Sequence, residues 1–77
     1  MTFIEYCSKP AYKDSLYRIP INVVQELESA DFETAFKTLA EEISKNYYER
    51  GWWDTTIMNR QLTLLNRVAE KYKREEL

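Results

Sequence analysis

Two long stretches of the chain repeat apolar residues with the period of an α-helix. In the first, over residues 32–50, the apolar side chains fall within an arc of about 140° when each residue advances by 100° around the axis. They are Phe32, Ala35, Phe36, Leu39, Ala40, Ile43 and Tyr47. Ser29 or Asp31 can cap the start of this helix, and Gly51 can end it in a left-handed conformation.

A second amphipathic stretch follows over residues 55–75, and its apolar arc is wider, at about 160°. The arc holds Ile57, Met58, Leu62, Leu64, Leu65, Val68, Ala69 and Tyr72. Asp54 directly precedes the stretch and can cap its first turn. Gln61 is a polar residue inside the arc. It either bonds a backbone group of the N-terminal segment or marks a polar register position in a contact between helices.

Only Gly51, Trp52 and Trp53 connect the two stretches, so the helices are predicted to lie side by side and antiparallel. Two apolar arcs of this width leave edges that their mutual contact does not cover. The first third of the chain has to cover them, which predicts a small all-α bundle of three to four helices built on an antiparallel hairpin of residues 32–50 and 55–75. With 77 residues, the chain allows one small helical domain, residues 1–77.

The middle of the first third gives weaker signals. Pro20 suits the first turn of a helix over residues 21–28, with Ile21, Val24 and Leu27 on one side. Residues 11–19 are predicted to form a loop or a short helical turn.

Residues 2–9 have two possible structures. Thr2 and Glu5 have the spacing of a capping box, which favours a short helix that ends before Pro10. The same residues also have high strand propensity. We favour the helix because a lone strand has no obvious partner strand in this sequence.

Composition limits how so small a domain is held together. The chain has one cysteine and no histidine, so neither an internal disulfide nor a structural zinc site is expected, and we predict no metal and no cofactor. Two ways to stabilise the domain remain, dense aromatic packing and self-association. Aromatic residues make up 14% of the chain, so dense aromatic packing is a plausible source of stability. Cys7 is predicted to be a small buried apolar side chain.

The usual catalytic groups are missing. Without histidine there is no ordinary general base, and a single glycine, Gly51, excludes a glycine-rich phosphate loop. Glu41 and Glu42 are adjacent on a helix and point in different directions, so we interpret them as a solvated helix face and not as a catalytic carboxylate pair. The chain is predicted not to be an enzyme.

Charge is nearly balanced, with a net value of −2, which makes nucleic acid and an anionic membrane unfavoured partners. Locally, acids predominate over residues 26–42 and bases over residues 60–77. No apolar run approaches the ~18 residues that a membrane span needs, and the N-terminus lacks the features of a secretory signal. A free thiol without such a signal is typical of a cytoplasmic protein.

The segment around the predicted turn is the best candidate for contact with a partner. Tyr48 lies far from the apolar arc of its helix, beside Glu41, and two adjacent tryptophans in a tight turn are not both expected to be buried. Tyrosine, tryptophan and arginine are enriched at binding hot spots. The predicted partner-binding residues are Tyr48, Arg50, Trp52, Trp53, Arg60 and Glu41.

Three functions compete. The sequence favours a non-catalytic protein-binding module, such as an adaptor, a regulatory subunit or a small inhibitor of a larger enzyme or complex. The first alternative is a nucleic-acid-binding protein of helix-turn-helix type with residues 54–67 as its reading helix. The residues expected to contact bases or phosphates are Asp54, Thr55, Thr56, Asn59 and Arg60. The second alternative is a structural homo-oligomer, for example a homodimer, in which the last helix pairs with its copy.

Overall fold

The computed structural model describes residues 1–77 and contains helices but no strand, which confirms the all-α fold. The elements in chain order are α1 (Phe3–Cys7), a short 3₁₀-helix (Lys13–Leu16), α2 (Ile21–Glu26), α3 (Phe32–Tyr48) and α4 (Thr55–Glu76). The ends of the two long helices differ from their predicted positions by two residues in α3 and by one residue in α4.

Side-chain caps fix where three of the helices begin. Thr2 accepts a hydrogen bond from the N–H of Glu5 at 3.3 Å, and the Glu5 carboxylate accepts one from the N–H of Thr2 at 2.7 Å. The predicted capping box is therefore present, and residues 3–7 form a helix and not a strand. Asp31 and Asp54 each accept a hydrogen bond from the N–H three residues further on, at 2.8 and 2.9 Å.

Gly51 reverses the chain between α3 and α4. Its φ is +68°, in the left-handed region that glycine adopts without strain. The ring of Phe32, at the start of α3, stacks on the ring of Tyr72, near the end of α4, with centroids 5.6 Å apart. The two helices therefore run antiparallel, as predicted. We call the Gly51 end of this hairpin the tip and the Phe32 end the open end.

An aromatic cluster closes the open end. The ring of Phe3, from α1, contacts the rings of Phe32 and Tyr72 edge-on, with centroid distances of 5.0 and 5.2 Å. Tyr6 packs against Tyr72 and stacks on Tyr12 at 5.0 Å. Because Phe3 and Tyr6 are fully buried, α1 covers the apolar edges that the two long helices leave open.

The centre of the core combines both long helices with the end of α1. The side chains with no exposed surface there include Ala35, Leu39, Ile43, Leu65 and Cys7. The prediction that Cys7 is a buried apolar residue is confirmed. Burial raises the pKa of the Cys7 thiol to about 11, since it outweighs the lowering effect of the hydrogen bond with Ser15.

Gln61 ties α4 to the N-terminal segment. Its side chain is buried, and its Nε2 donates a hydrogen bond to the carbonyl of Asp14, in the 3₁₀-helix, at 2.9 Å. Of the two interpretations of Gln61, the bond to a backbone group of the N-terminal segment is the one confirmed.

The short helix α2 is held by residues on either side of it. Ile19 before it and Leu27 after it are buried, whereas none of its own residues is. Ile21, which the sequence places on one side of this helix with Leu27, is 69% exposed, whereas Leu27 is buried. A helix this short makes fewer than two turns, so anchoring its last turn does not bring its first turn against the core.

Candidate functional site

Asn46, near the end of α3, organises the tip. Its side chain is fully buried; its Nδ2 donates a hydrogen bond to the carbonyl of Arg18 at 3.2 Å, and its Oδ1 accepts one from Nη1 of Arg50 at 2.7 Å. The carbonyl of Asn46 also accepts the backbone N–H groups of Trp52 and Trp53, at 2.9 and 3.2 Å. One residue therefore fixes the N-terminal segment, the end of α3 and the turn relative to one another.

A partly buried ion pair supports the same network. Nη2 of Arg50 lies 2.8 Å from Oε1 of Glu42, and Nζ of Lys45 lies 3.3 Å from Oε2. Burial by itself raises the pKa of the Glu42 carboxyl, but the hydrogen bonds from Arg50 and Lys45 outweigh it, so this pKa lies below its ordinary value. Glu42 is therefore charged at neutral pH and holds the Arg50 guanidinium in place.

The two adjacent glutamates of α3 point in different directions, as expected, but they do not share a solvated face. Glu41 is exposed, whereas Glu42 is only 6% exposed. The interpretation of Glu42 as a solvated residue is wrong because Arg50, beyond the end of the helix, folds back over two turns to reach it.

Trp52 is the exposed aromatic residue of the turn, and two arginines hold its ring. Its side chain is half exposed, and the guanidinium carbons of Arg18 and Arg50 lie 5.3 and 5.4 Å from the ring centroid. Cation–π attraction favours this arrangement. Arg18 has a φ of +62°, a left-handed conformation that costs a non-glycine residue about 1–2 kcal/mol. The hydrogen bond from Asn46 to the Arg18 carbonyl helps to keep it there.

Trp53 lies beneath the surface, and Tyr17 covers it. The two rings are nearly parallel, with an interplanar angle of 6° and centroids 6.2 Å apart. Trp53 is buried, whereas Tyr17 is more than half exposed. The prediction that the two tryptophans are not both buried is confirmed. The exposed side chains of Tyr17, Arg18 and Trp52 together are called the tip surface below.

The structure distributes the predicted partner-binding residues over three surfaces. The tip contains Arg50, Trp52 and Trp53, and of these only Trp52 is exposed. A groove on the outer face of α3 is lined in part by Glu41 and Tyr48. The outer face of α4 contains Arg60.

The sequence carries a signal for Asn46 that the apolar pattern alone overlooks. At 100° per residue, Asn46 falls between Ala35 and Leu39, inside the apolar arc of α3, just as Gln61 falls inside that of α4. A polar residue in such an arc needs a hydrogen-bond partner in the core. No local pattern marks Arg18, because it lies 28 residues from Asn46 along the chain.

The structure contains no candidate metal site. No group of three or more carboxylate, thiol or imidazole side chains is placed to hold a metal ion. No helix combines the length and the apolar character that crossing a bilayer requires.

Comparisons with family models, curated proteins and solved structures find no match to this chain. Its function is therefore inferred from the surfaces themselves.

Proposed function

We propose that this chain is a non-catalytic protein-binding module that docks onto a larger protein through the tip surface. The observation that supports this most is the half-exposed indole of Trp52, which has the guanidinium groups of Arg18 and Arg50 within 5.4 Å of its ring centroid. Tryptophan, tyrosine and arginine dominate the binding energy of protein interfaces, and all three types meet here. An adaptor, a regulatory subunit and a small inhibitor all use a surface of this kind.

The tip surface is held in shape without a partner. Asn46 bonds the backbone of Arg18, and Glu42 holds the guanidinium of Arg50. The side chains of the tip surface are therefore already ordered before a partner binds. Immobilising a free side chain with many rotamers costs about 0.5–1.5 kcal/mol on binding, and this cost is reduced here. Rigid aromatic contact area with small entropy loss favours tight docking.

The charges of the tip indicate the chemistry of the partner. Glu42 neutralises Arg50, whereas Arg18 makes no ion pair within the chain. An unpaired guanidinium beside an exposed indole suits a partner that presents a carboxylate next to an apolar side chain.

We also infer a cytoplasmic setting, supported by Cys7, which is a free thiol.

Replacing Trp52 with alanine is expected to weaken binding to the partner by about 1–3 kcal/mol, or roughly 5- to 150-fold in Kd, because the central ring of the tip surface is lost. The partner is first captured with the wild-type chain and identified by mass spectrometry. The purified partner is then titrated against wild type and variant by calorimetry.

Leu77→Ala is the matched control, because Leu77 is also exposed and apolar but lies at the open end. Its Kd is expected to equal that of the wild type. Equal Kd values for wild type and Trp52→Ala would refute docking through the tip surface. Trp53→Ala would not separate docking from folding, because Trp53 is buried and its loss disturbs the core.

The outer face of α4 favours a second candidate function, nucleic-acid binding. Four basic residues fall within an arc of about 60° over about 21 Å of the helix. They are Arg60, Arg67, Lys71 and Arg74. None of them makes an ion pair within the chain, and residues 55–69 contain no acid. Such a row can contact successive phosphates of a duplex.

The two long helices do not have helix-turn-helix geometry. In that motif two helices meet at about 90–120°, whereas α3 and α4 lie antiparallel, so only the row of basic residues supports nucleic-acid binding. The test is fluorescence anisotropy of labelled DNA duplexes at about 20 mM salt. Binding through this face is expected to weaken with added salt and with Arg67→Ala, which removes about one phosphate contact from the salt dependence. No binding to any duplex at low salt removes this candidate.

A further inference from the structure

The largest groove of the molecule lies on the exposed outer face of α3 and has a volume of about 540 Å³. Phe36 and Tyr48 form its two ends, about 18 Å apart along the helix axis. The small side chains of Ala40 and Ser44 lie between these rings. The small residues between the rings allow the backbone of a second helix to approach closely along this row.

Tyr48 is the most exposed aromatic residue of the chain, at 74%. Its ring packs edge-on against Tyr47, with centroids 4.7 Å apart, and extends into solvent beside the groove. Only residues 36–49 line the groove, so no other segment of the chain covers it, although Phe36 and Ala40 also pack against the core.

Four charged residues occur along the groove at every fourth position, and their signs alternate. In chain order they are Lys37, Glu41, Lys45 and Glu49. Read in the opposite direction, the same row has the opposite sign at each position. An antiparallel copy of α3 would therefore place Lys37 opposite Glu49 of the other chain and Glu41 opposite Lys45 of the other chain.

Most of these charges are unpaired within the monomer. Residues four apart on a helix are close enough to form ion pairs, yet Lys37, Glu41 and Glu49 make none. Lys45 bonds Glu42 at 3.3 Å, and its ammonium group has further N–H donors available. The charge row is therefore free to pair with charges from outside the chain.

We propose that the outer face of α3 binds the same face of a second copy of this chain, antiparallel and related by a twofold axis. Such an interface is self-complementary, as twofold symmetry requires, with the small residues at the crossing point and the rings of Phe36 and Tyr48 at its edges. Its residues are separate from the tip surface, so it stands independently of the proposed function. The contact uses α3 and not the last helix, whose apolar arc is largely occupied by the core.

Analytical ultracentrifugation of the full chain from about 1 to 500 µM tests this interface. The wild type is expected to shift from monomer to dimer over this range. Lys37→Glu and Glu49→Lys each place like charges opposite one another, and each is expected to raise the dimer Kd at least tenfold. The double variant, Lys37→Glu with Glu49→Lys, restores opposite charges across the interface and is expected to return the Kd to near the wild-type value.

The double variant also separates the interface from effects within one helix. It creates like charges four residues apart inside α3, which disfavour the helix slightly, so recovery of the dimer has to come from pairing between copies. Lys13→Glu, the same charge change in the 3₁₀-helix, is the matched control and leaves the Kd unchanged. Circular dichroism verifies that every variant is folded.

Three results would overturn the proposal. The first is a wild-type chain that stays monomeric throughout the concentration range. The second is a dimer whose Kd does not respond to either single charge reversal. The third is a double variant that remains as weak as the single variants.

Tyr48→Ala gives an independent reading, since loss of the exposed ring is expected to raise the dimer Kd while leaving docking through Trp52 unchanged.

Discussion

Replacing Asn46 with alanine is expected to lower the free energy of unfolding by about 2–4 kcal/mol, although it removes only a small polar side chain. The substitution deletes the acceptor of Arg50 and the donor to the Arg18 carbonyl. A hydrogen bond to a charged group contributes about 1.5–3 kcal/mol, and a buried polar group left without a partner costs about 1–3 kcal/mol. The backbone bonds to the Asn46 carbonyl survive, which limits the loss.

Urea unfolding followed by circular dichroism measures this loss. Asn66→Ala is the matched control, because Asn66 is exposed on α4 and bonds only the carbonyl of Leu62 one turn before it. It is expected to change the free energy of unfolding by less than about 0.5 kcal/mol. Asn46→Asp keeps the acceptor for Arg50 but not the donor to Arg18, and should fall between alanine and wild type. A loss below about 1 kcal/mol for Asn46→Ala would show that the tip does not depend on this amide.

Replacing Leu65 with alanine is expected to lower the free energy of unfolding by about 2–5 kcal/mol. Leu65 has no exposed surface and lies on the side of α4 that faces the core. Its truncation removes apolar contacts and leaves a cavity that tightly packed neighbours fill only in part. For so small a domain, this is a large share of the total stability, and the thermal midpoint should fall accordingly.

Leu64→Ala provides the comparison for Leu65, since it removes the same atoms one position along α4 from a side chain that is only half-buried. Its effect on the free energy of unfolding is expected to be less than about half that of Leu65→Ala, because less apolar surface returns to water. Equal losses for the two variants would mean that α4 presents a different side to the core.

The two long helices could be predicted because several local signals agree on each of them. Each has a continuous apolar arc and an aspartate, Asp31 or Asp54, directly before it. Gly51, three residues beyond the end of α3, adds the left-handed residue at which the chain turns. The exposure of Ile21 does not follow from the sequence, since a single short apolar pattern indicates which residues share one side of a helix but not which of its turns touches the core.

The tip could be predicted only in part. The adjacency of two tryptophans after a glycine predicted that at least one of them is exposed, and in the structure this is Trp52. The contact that ties this end to the N-terminal segment, the bond from Asn46 to Arg18, is long-range, and a local pattern contains no information about it. The residue type of Arg50 predicts contact with a partner, whereas in the structure its guanidinium bonds Glu42 within the chain.

Both tryptophans of the chain lie at the tip, and the aromatic cluster at the open end consists of phenylalanine and tyrosine. Intrinsic tryptophan fluorescence therefore reports on one end of the molecule alone. The emission of Trp53, buried against Tyr17, changes when the fold opens, whereas that of Trp52 changes when its half-exposed ring is covered. A spectral change at constant helical content thus distinguishes docking from unfolding, with no attached dye.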